Sequence, residues 1–159
     1  MERVVILVDV QNIYYTVRQG FAAGFDYNRF WQLAAGGREV IKAIAYATDR
    51  GDAKQRQFQN ILRAIGFEVK LKPYVQRSDG SRKGDWDVGI SVDAMQYANL
   101  ADVVVLASGD GDFAVLLERL HELFAVKTEV FAVEEFTALS LIRAASSFTP
   151  IAGDLILSR

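Results

Sequence analysis

The sequence contains no cysteine and only one histidine, His121. Disulfide bonds and thiolate metal ligands are therefore excluded, and the redox compartment cannot be inferred from the chain. Any metal ion would have to be held by oxygen ligands or by His121, because no other nitrogen or sulfur ligand of the usual kind is present.

Long apolar runs are also missing, since no stretch approaches the about 18 apolar residues of a membrane-spanning helix. The apolar start, MERVVILVDV, has the length of a strand and lacks the cleavage site of a signal peptide. We therefore expect a cytoplasmic protein without a membrane partner. A large excess of positive or negative charge is missing too. The net charge is −2, so a nucleic-acid-binding surface would have to be a local patch.

The composition is that of an ordinary folded protein, with 51% apolar and 24% charged residues. A chain of 159 residues can bury a sizeable core, and we expect one domain over residues 1–159. Five apolar, β-branched runs predict strands: RVVILVDV, EVIKAIAYAT, FEVKLKPY, ADVVVLAS and VKTEVFAV.

Helical patterns separate these runs. After Asp52 the apolar residues recur at helical spacing up to Gly66, after Asp87 Val88, Val92 and Met95 do the same, and after Asp112 the pattern is clearest. Shorter helices are predicted after Asn12, Asp26 and Glu135. Alternating strands and helices predict a three-layer α/β/α fold, with a mainly parallel sheet of about five strands.

Acidic residues follow two of the predicted strands. Asp9 comes after VVILV, and Asp110 and Asp112 follow VVVLAS. Ligands of an open parallel sheet bind at the carboxyl ends of its strands, so we expect these side chains at one edge. Asp87 begins a predicted helix, and the long loop from Pro73 to Gly84 could keep it at that edge.

Each acid also has a purely structural interpretation. Asp9 could cap the helix near Asn12, Asp110 could stabilise a turn, Asp112 could cap the helix that begins at Phe113, and Asp87 could complement a helix dipole. Several acids at one edge would, however, repel one another by roughly 1–4 kcal/mol per close pair. A cation would remove that repulsion, and ligands that are all oxygen favour Mg²⁺ or Mn²⁺.

Three motifs then indicate a family. ILVDVQNIYY, KGDWDVGISVDAM and LASGDGDFAVLL resemble, in order and spacing, the LabA-like branch of the NYN domain family, which is similar to the PIN nucleases. The resemblance extends from Val4 to Phe131. It implies a PIN-like sheet and a Mg²⁺- or Mn²⁺-dependent ribonuclease that acts on single-stranded RNA.

The resemblance also implies roles for individual residues. The implied catalytic and metal-binding acids are Asp9, Asp87, Asp110 and Asp112. Asn12 would position the attacking water, and Ser108 would orient its neighbours or contact a phosphate. Asp93 matches a recurrent acid as well. It lies about 600° around a helix from Asp87, so a supporting or structural role is expected for it.

A basic segment, VKLKPYVQRSDGSRKGDW, flanks this acidic centre and carries the interleaved aromatic residues Tyr74 and Trp86. Single-stranded RNA is held by basic side chains and by stacking on aromatic ones. The expected phosphate contacts are Arg82 and Lys83, and Trp86 is the expected stacking residue. A second basic stretch, DRGDAKQR, follows strand two, and a merely solvated loop is the alternative for both.

Two other functions stay open. The chain could be a non-catalytic RNA-binding or regulatory module of the same fold, which a metal-dependent cleavage assay would distinguish. It could also be a phosphohydrolase for a small compound, but such enzymes commonly carry a second Asp two residues after the first, and that position is Gln11. A homodimer is possible, and the sequence does not fix the oligomeric state.

Overall fold

The computed structural model describes residues 1–73, 75–76, 82–83 and 85–157, and only the backbone of 75–76 and 82–83. Its strands are β1 (Arg3–Asp9), β2 (Glu39–Asp49), β3 (Glu68–Pro73), β4 (Val75–Gln76), β5 (Arg82–Lys83), β6 (Val103–Ala107), β7 (Lys127–Ala132) and β8 (Ser147–Pro150). Its helices are α1 (Val10–Phe21), α2 (Tyr27–Ala35), α3 (Ala53–Ile65), α4 (Asp87–Ala98), α5 (Phe113–Phe124) and α6 (Leu139–Ala144). Short 3₁₀ helices cover Glu134–Phe136 and Gly153–Leu155.

Six strands form one sheet in the order β3-β2-β1-β6-β7-β8, and all their pairings are parallel. The predicted α/β/α architecture and all five predicted strands are confirmed. The sixth, β8, was missed because its sequence, SFTP, is short, has only one large apolar residue and ends in proline. As an edge strand it needs to fit only one neighbour.

The centre of the sheet is β1, where the side chains of Val4 to Val8 are fully buried. An interior parallel strand is covered on both faces, which explains a continuous apolar run rather than an alternating one. Helices α1, α2 and α3 pack on one face, around Ile13, Phe30 and Leu62. Helices α4, α5 and α6 pack on the other. Within the described ranges, no helix has the length and apolar character needed to cross a membrane.

The helix after Asp87 is confirmed, and of its predicted apolar residues Met95 packs against the core but Val88 and Val92 do not. Val88 and Val92 are 73% and 58% exposed, whereas Ile90, Ala94 and Ala98 are fully buried. Both sets recur every four residues, so the spacing alone could not select between them. The small side chains of the second set allow α4 to lie close to the sheet.

The same face of α4 carries Asp93, which is buried in a polar cluster. One of its carboxylate oxygens, Oδ2, accepts hydrogen bonds from the Tyr46 hydroxyl and the Lys70 ammonium, both at 2.7 Å. The expected supporting or structural position of Asp93 agrees with this geometry. Lys70, part of the basic segment, is thereby engaged in an ion pair.

The loop expected from Pro73 to Gly84 contains a short antiparallel pairing of β4 with β5. Arg82 and Lys83 form β5, but their side chains lie outside the described residues, as do Tyr74 and Arg77. The loop joins β3, at one edge of the sheet, to α4, which packs against β1, β2 and β6.

We expect Asp93→Ala to lower the free energy of unfolding by about 2–4 kcal/mol, because it leaves the buried Tyr46 hydroxyl without its acceptor and Lys70 without its counter-ion. Asp154→Ala is the control, since Asp154 pairs with Arg29 at an exposed site and the expected loss is under about 1 kcal/mol. Urea unfolding measures both values. Equal losses in the two variants would contradict a structural role for Asp93.

Candidate metal centre

The acidic residues lie at the point where the order of strands in the sheet reverses. From β1 the chain adds β2 and β3 on one side, and it later adds β6, β7 and β8 on the other. The carboxyl ends of β1 and β6 therefore flank a topological switch point, which is the usual ligand crevice of such sheets. Asp9 is the last residue of β1, and Ser108 directly follows β6.

Asp9 is buried, with 7% of its surface exposed, and both of its oxygens accept hydrogen bonds. Oδ1 accepts from the backbone N–H of Asn12 at 3.4 Å, so Asp9 caps α1. Oδ2 accepts from the Ser108 hydroxyl at 3.1 Å. Asp9 is therefore a helix cap, and its carboxylate also raises the pKa of Asp87 through its negative charge.

Ser108 and Asn12 fasten the turn after β6 to the start of α1. Ser108 Oγ accepts from the backbone N–H of Asp110 at 3.2 Å, and Asn12 Oδ1 accepts from that of Gly109 at 2.9 Å. Ser108 is fully buried, a position that favours the orienting role over a direct contact with a phosphate, and both roles stay predictions. Its geometry is that of a residue that orients Asp9 and Asp110.

Glycines in the SGDGD turn allow another segment to pass close by. A Cβ on Gly109 would lie 2.8 Å from Thr137 Oγ1, and one on Gly111 would lie 2.7 Å from Ala138 Cβ. The chain before α6 therefore packs directly onto the turn. Asp110 lies between these two glycines, and Asp112 follows the second.

Asp110 and Asp112 have different local roles. Asp110 Oδ1 accepts from the backbone N–H of Asp112 at 3.0 Å, which stabilises the turn. Asp112 occupies the N-cap position of α5, but its side chain makes no capping hydrogen bond, so the expected cap is wrong. Its backbone is already helical, with φ −61° and ψ −23°, whereas a capping residue usually has non-helical angles.

Three of the four predicted acids come together. Asp87, Asp110 and Asp112 each offer one carboxylate oxygen, and these three oxygens lie within 4.8 Å of one another. Asp87 reaches the group because it is the first residue of α4, at the same edge as the first turn of α5. Asp9 is not a member of this group, although it lies near enough to interact with Asp87 and Asp110 electrostatically.

The residues fit a divalent cation. Mg²⁺ binds oxygen at about 2.0–2.1 Å in octahedral geometry, which puts neighbouring ligands roughly 3–4 Å apart. The oxygens of Asp87, Asp110 and Asp112 lie within 4.8 Å of one another, close enough together for one cation to be shared among them. The single histidine, His121, lies in the last turn of α5, more than two turns from this end of the helix. The ligand set is therefore made of oxygen, as the sequence predicts.

Burial, together with the charges of neighbouring acids, raises the pKa of two acids. The pKa of Asp87 is raised to about 7, first by burial, then by its hydrogen bond with Asp110 and by the negative charges of Asp110, Asp85 and Asp9. The pKa of Asp9 is raised to about 6, because burial outweighs the hydrogen bonds that it accepts. A hydrogen bond between two carboxyl groups requires that one of them be protonated. The proton reduces the repulsion between Asp87 and Asp110, as a bound cation would.

Asp85 is an acid of the site that sequence reasoning missed. Its Oδ1 accepts from the backbone N–H of Asp87 at 3.2 Å, and its charge raises the pKa of both Asp87 and Asp9. The D-x-D spacing of Asp85 and Asp87 is the signal that could have revealed it, since an aspartate often accepts from the backbone two residues on.

Trp86 is half-buried rather than an open aromatic surface. Its indole N–H donates to the backbone oxygen of Ala47 at 2.9 Å, and its ring packs against Tyr46. The Lys72 ammonium lies 4.4 Å from the ring centroid and donates to the backbone oxygen of Asp85 at 3.0 Å. These contacts fix the start of α4, and stacking of an RNA base on Trp86 stays a prediction.

Comparison with known proteins agrees with this architecture. The family model of the NYN domain matches residues 3–152, and the chain belongs to that family of PIN-like nuclease domains. The chain is 30% identical over 127 residues to the Low amplitude and bright protein LabA of Synechococcus elongatus, an alignment that covers 75% of this chain and 68% of LabA. The predicted resemblance to the NYN family and its LabA-like branch is thereby confirmed.

The fold also matches a solved structure closely. A protein of unknown function from Vibrio parahaemolyticus RIMD 2210633 is 52% identical, with a TM-score of 0.94. The match covers 98% of this chain and 96% of that protein.

The pKa values predict how the stability of the metal-free protein depends on pH. Asp9 and Asp87 keep protons in the folded chain at pH values where the unfolded chain has lost them, so unfolding becomes easier as the pH rises from about 4 to about 7. For Asp9, a pKa of about 6 instead of 3.8 corresponds to about 3 kcal/mol. We expect a higher melting temperature at pH 5 than at pH 7.5 in EDTA, with a smaller difference in Asp87→Asn.

Asp154→Asn, at an exposed site, is the control and should leave that difference unchanged. The affinity for Mn²⁺ should rise over the same pH range, because the carboxylates must lose their protons to bind a cation. A metal-free melting temperature that depends equally on pH in Asp87→Asn and in the unmodified chain would argue against the raised pKa of Asp87.

Proposed function

We propose that the chain is a Mg²⁺- or Mn²⁺-dependent ribonuclease that hydrolyses phosphodiester bonds of single-stranded RNA. The observation that carries this proposal is the convergence of Asp87, Asp110 and Asp112 on one point at the switch of the sheet. Membership of the NYN family supports nuclease chemistry at that point.

The acids have a shared task in this proposal. Asp87, Asp110 and Asp112 would hold the cation, and Asp9 adds negative charge beside them while it holds Ser108 in place. When bound, the cation would lower the pKa of a water molecule and offset the charge of the phosphate. No buried histidine is needed, because an acidic oxygen site of this kind supplies the electrostatics itself.

Asn12 has one half of its amide available for the substrate. Its Oδ1 accepts from Gly109, which fixes the orientation of the amide plane. The NH₂ group of the same amide can then orient a water molecule or donate to a phosphate oxygen. This division of labour explains why an amide, with both a donor and an acceptor, suits the position better than a carboxylate would.

The ligand role of Asp110 can be separated from its turn role by Asp110→Asn. The substitution keeps an oxygen for the hydrogen bond from Asp112 and keeps the turn preference, but it removes one charge. We expect Mn²⁺ affinity and cleavage of a labelled oligonucleotide to fall by at least about 100-fold. The metal-free protein should be as stable or more stable, because repulsion with Asp87 is relieved.

Asp102→Asn serves as the control, since Asp102 pairs with Arg3 at an exposed site and should affect neither metal binding nor cleavage. Full activity in Asp110→Asn would overturn the catalytic assignment. Metal binding without any cleavage by the unmodified chain would indicate the RNA-binding or regulatory module instead.

The expected phosphate contacts of Arg82 and Lys83 are tested by Arg82→Ala combined with Lys83→Ala. If these side chains contact phosphates, the double variant should bind single-stranded RNA more weakly and its affinity should depend less steeply on salt. Fluorescence anisotropy from about 50 to 200 mM salt measures both effects. The matched control, Arg119→Ala with Lys127→Ala, removes the same charge elsewhere and should retain the salt slope. Identical slopes in both variants would place the RNA contacts elsewhere.

A further inference from the structure

A second feature lies on the other side of Asp9 from the acidic group. A cavity of about 550 Å³ opens between α1 and α3, over the carboxyl ends of β1 and β2. Its lining includes Val10 and Gln11, the two residues that follow Asp9. Tyr27 lines the cavity, and its pKa is raised first by burial and then by the charge of Asp9. The cavity therefore lies beside Asp9 at the end of β1, and Asp9 in turn interacts electrostatically with Asp87 and Asp110 of the acidic group.

The walls of the cavity are rich in aromatic rings. Tyr27 packs edge-on against Phe58, with ring centroids 5.6 Å apart, and against Phe25 at 4.9 Å. Tyr14 and Tyr15 on α1 line the opposite side and are partly exposed. A volume between about 300 and 1,000 Å³ with mostly apolar walls is typical of a small-molecule binding site.

Polar side chains also line this cavity. Gln59, which is only 5% exposed, and Tyr27 both form part of its walls. A few amide and hydroxyl groups in a largely apolar wall are what fixes the orientation of a bound ligand. The Gln59 amide is therefore the group on this wall best suited to hydrogen-bond with a ligand.

Cationic side chains complete the site at its rim. Lys54, in the first turn of α3, and Arg50, just after β2, both line the cavity. A ligand that combines a planar ring, a hydrogen-bonding edge and a negative charge matches the aromatic, amide and cationic side chains that line the cavity. A nucleotide has all three features.

We propose that this cavity binds one nucleobase of the RNA, from a nucleotide next to the scissile phosphate, with the Gln59 amide on the edge of the base. This inference rests on the proposed function, because it assigns a substrate-recognition site to the same enzyme. Bases of single-stranded RNA can be splayed out, stacked on aromatic side chains and read along their edges. The Gln59 amide can both donate and accept, so it discriminates between bases whose edges differ.

The test measures binding, not cleavage. Four labelled oligonucleotides, each with a different base at one position of an otherwise identical strand, are titrated in Ca²⁺ by fluorescence anisotropy. The unmodified chain should prefer one base. Gln59→Met, which keeps the volume but removes the amide, should lower the affinity for that base about tenfold and flatten the ranking. Tyr27→Phe should act in the same direction even if Gln59→Met does not fold.

Gln57→Met is the matched control, because Gln57 lies on the same helix at an exposed position and should leave the ranking unchanged. Unaltered affinity and ranking in both Gln59→Met and Tyr27→Phe would overturn the cavity assignment, while cleavage by the unmodified chain would still support the ribonuclease. Base-dependent binding that both variants lose, without any cleavage, would support the cavity and overturn the ribonuclease. An unmodified chain that binds none of the four strands would overturn both.

Discussion

Repulsion among carboxylates at the end of β1 and β6 is the constraint on which the site depends. Asp87, Asp110 and Asp112 bring three oxygens within 4.8 Å, and Asp9 adds a buried charge nearby. A fold that only needed stability would avoid such a group. Here the surrounding donors compensate only in part, because the hydrogen bonds to Asp9 do not restore an ordinary pKa. The charge left over is what a divalent cation would neutralise.

The structural and functional interpretations of these acids are not exclusive. Asp9 caps α1 and Asp110 stabilises its own turn, yet each carries a charge that the cap or turn does not require. Asparagine could serve in either place, since it tolerates the same turns and caps. Asp112 is the clearest case, because it sits at a cap position without making the cap and its carboxylate is turned toward the acidic group instead. Helix-capping patterns in a sequence thus cannot by themselves argue against a metal site.

The sequence predicts the parts of this architecture that follow from periodicity and strand order. The long apolar runs determine the central strands, and the carboxyl ends of parallel strands determine where Asp9 and Asp110 meet. It could not predict which face of α4 is buried, because Val88 and Val92 have the same spacing as Ile90 and Ala94. Nor could it predict the cluster of Asp93 with Tyr46 and Lys70, since those contacts join residues 47 and 23 positions apart. Asp85 was overlooked for a different reason, as its effect is electrostatic and acts through its neighbours.

The position of Asp87 is determined by anchors that do not involve the acidic group. Immediately before it, Trp86 donates to the backbone of β2 at Ala47, and six residues later Asp93 is held by Tyr46 of β2 and Lys70 of β3. These contacts attach α4 to β2 and β3, in the half of the sheet that does not contain β6. Asp87 is therefore held close to Asp110 by packing that the repulsion between them cannot easily relax. A carboxylate pair that is positioned in this way is preorganised for a cation. The free energy needed to bring the two charges together is supplied by folding, so it does not weaken the binding of the cation.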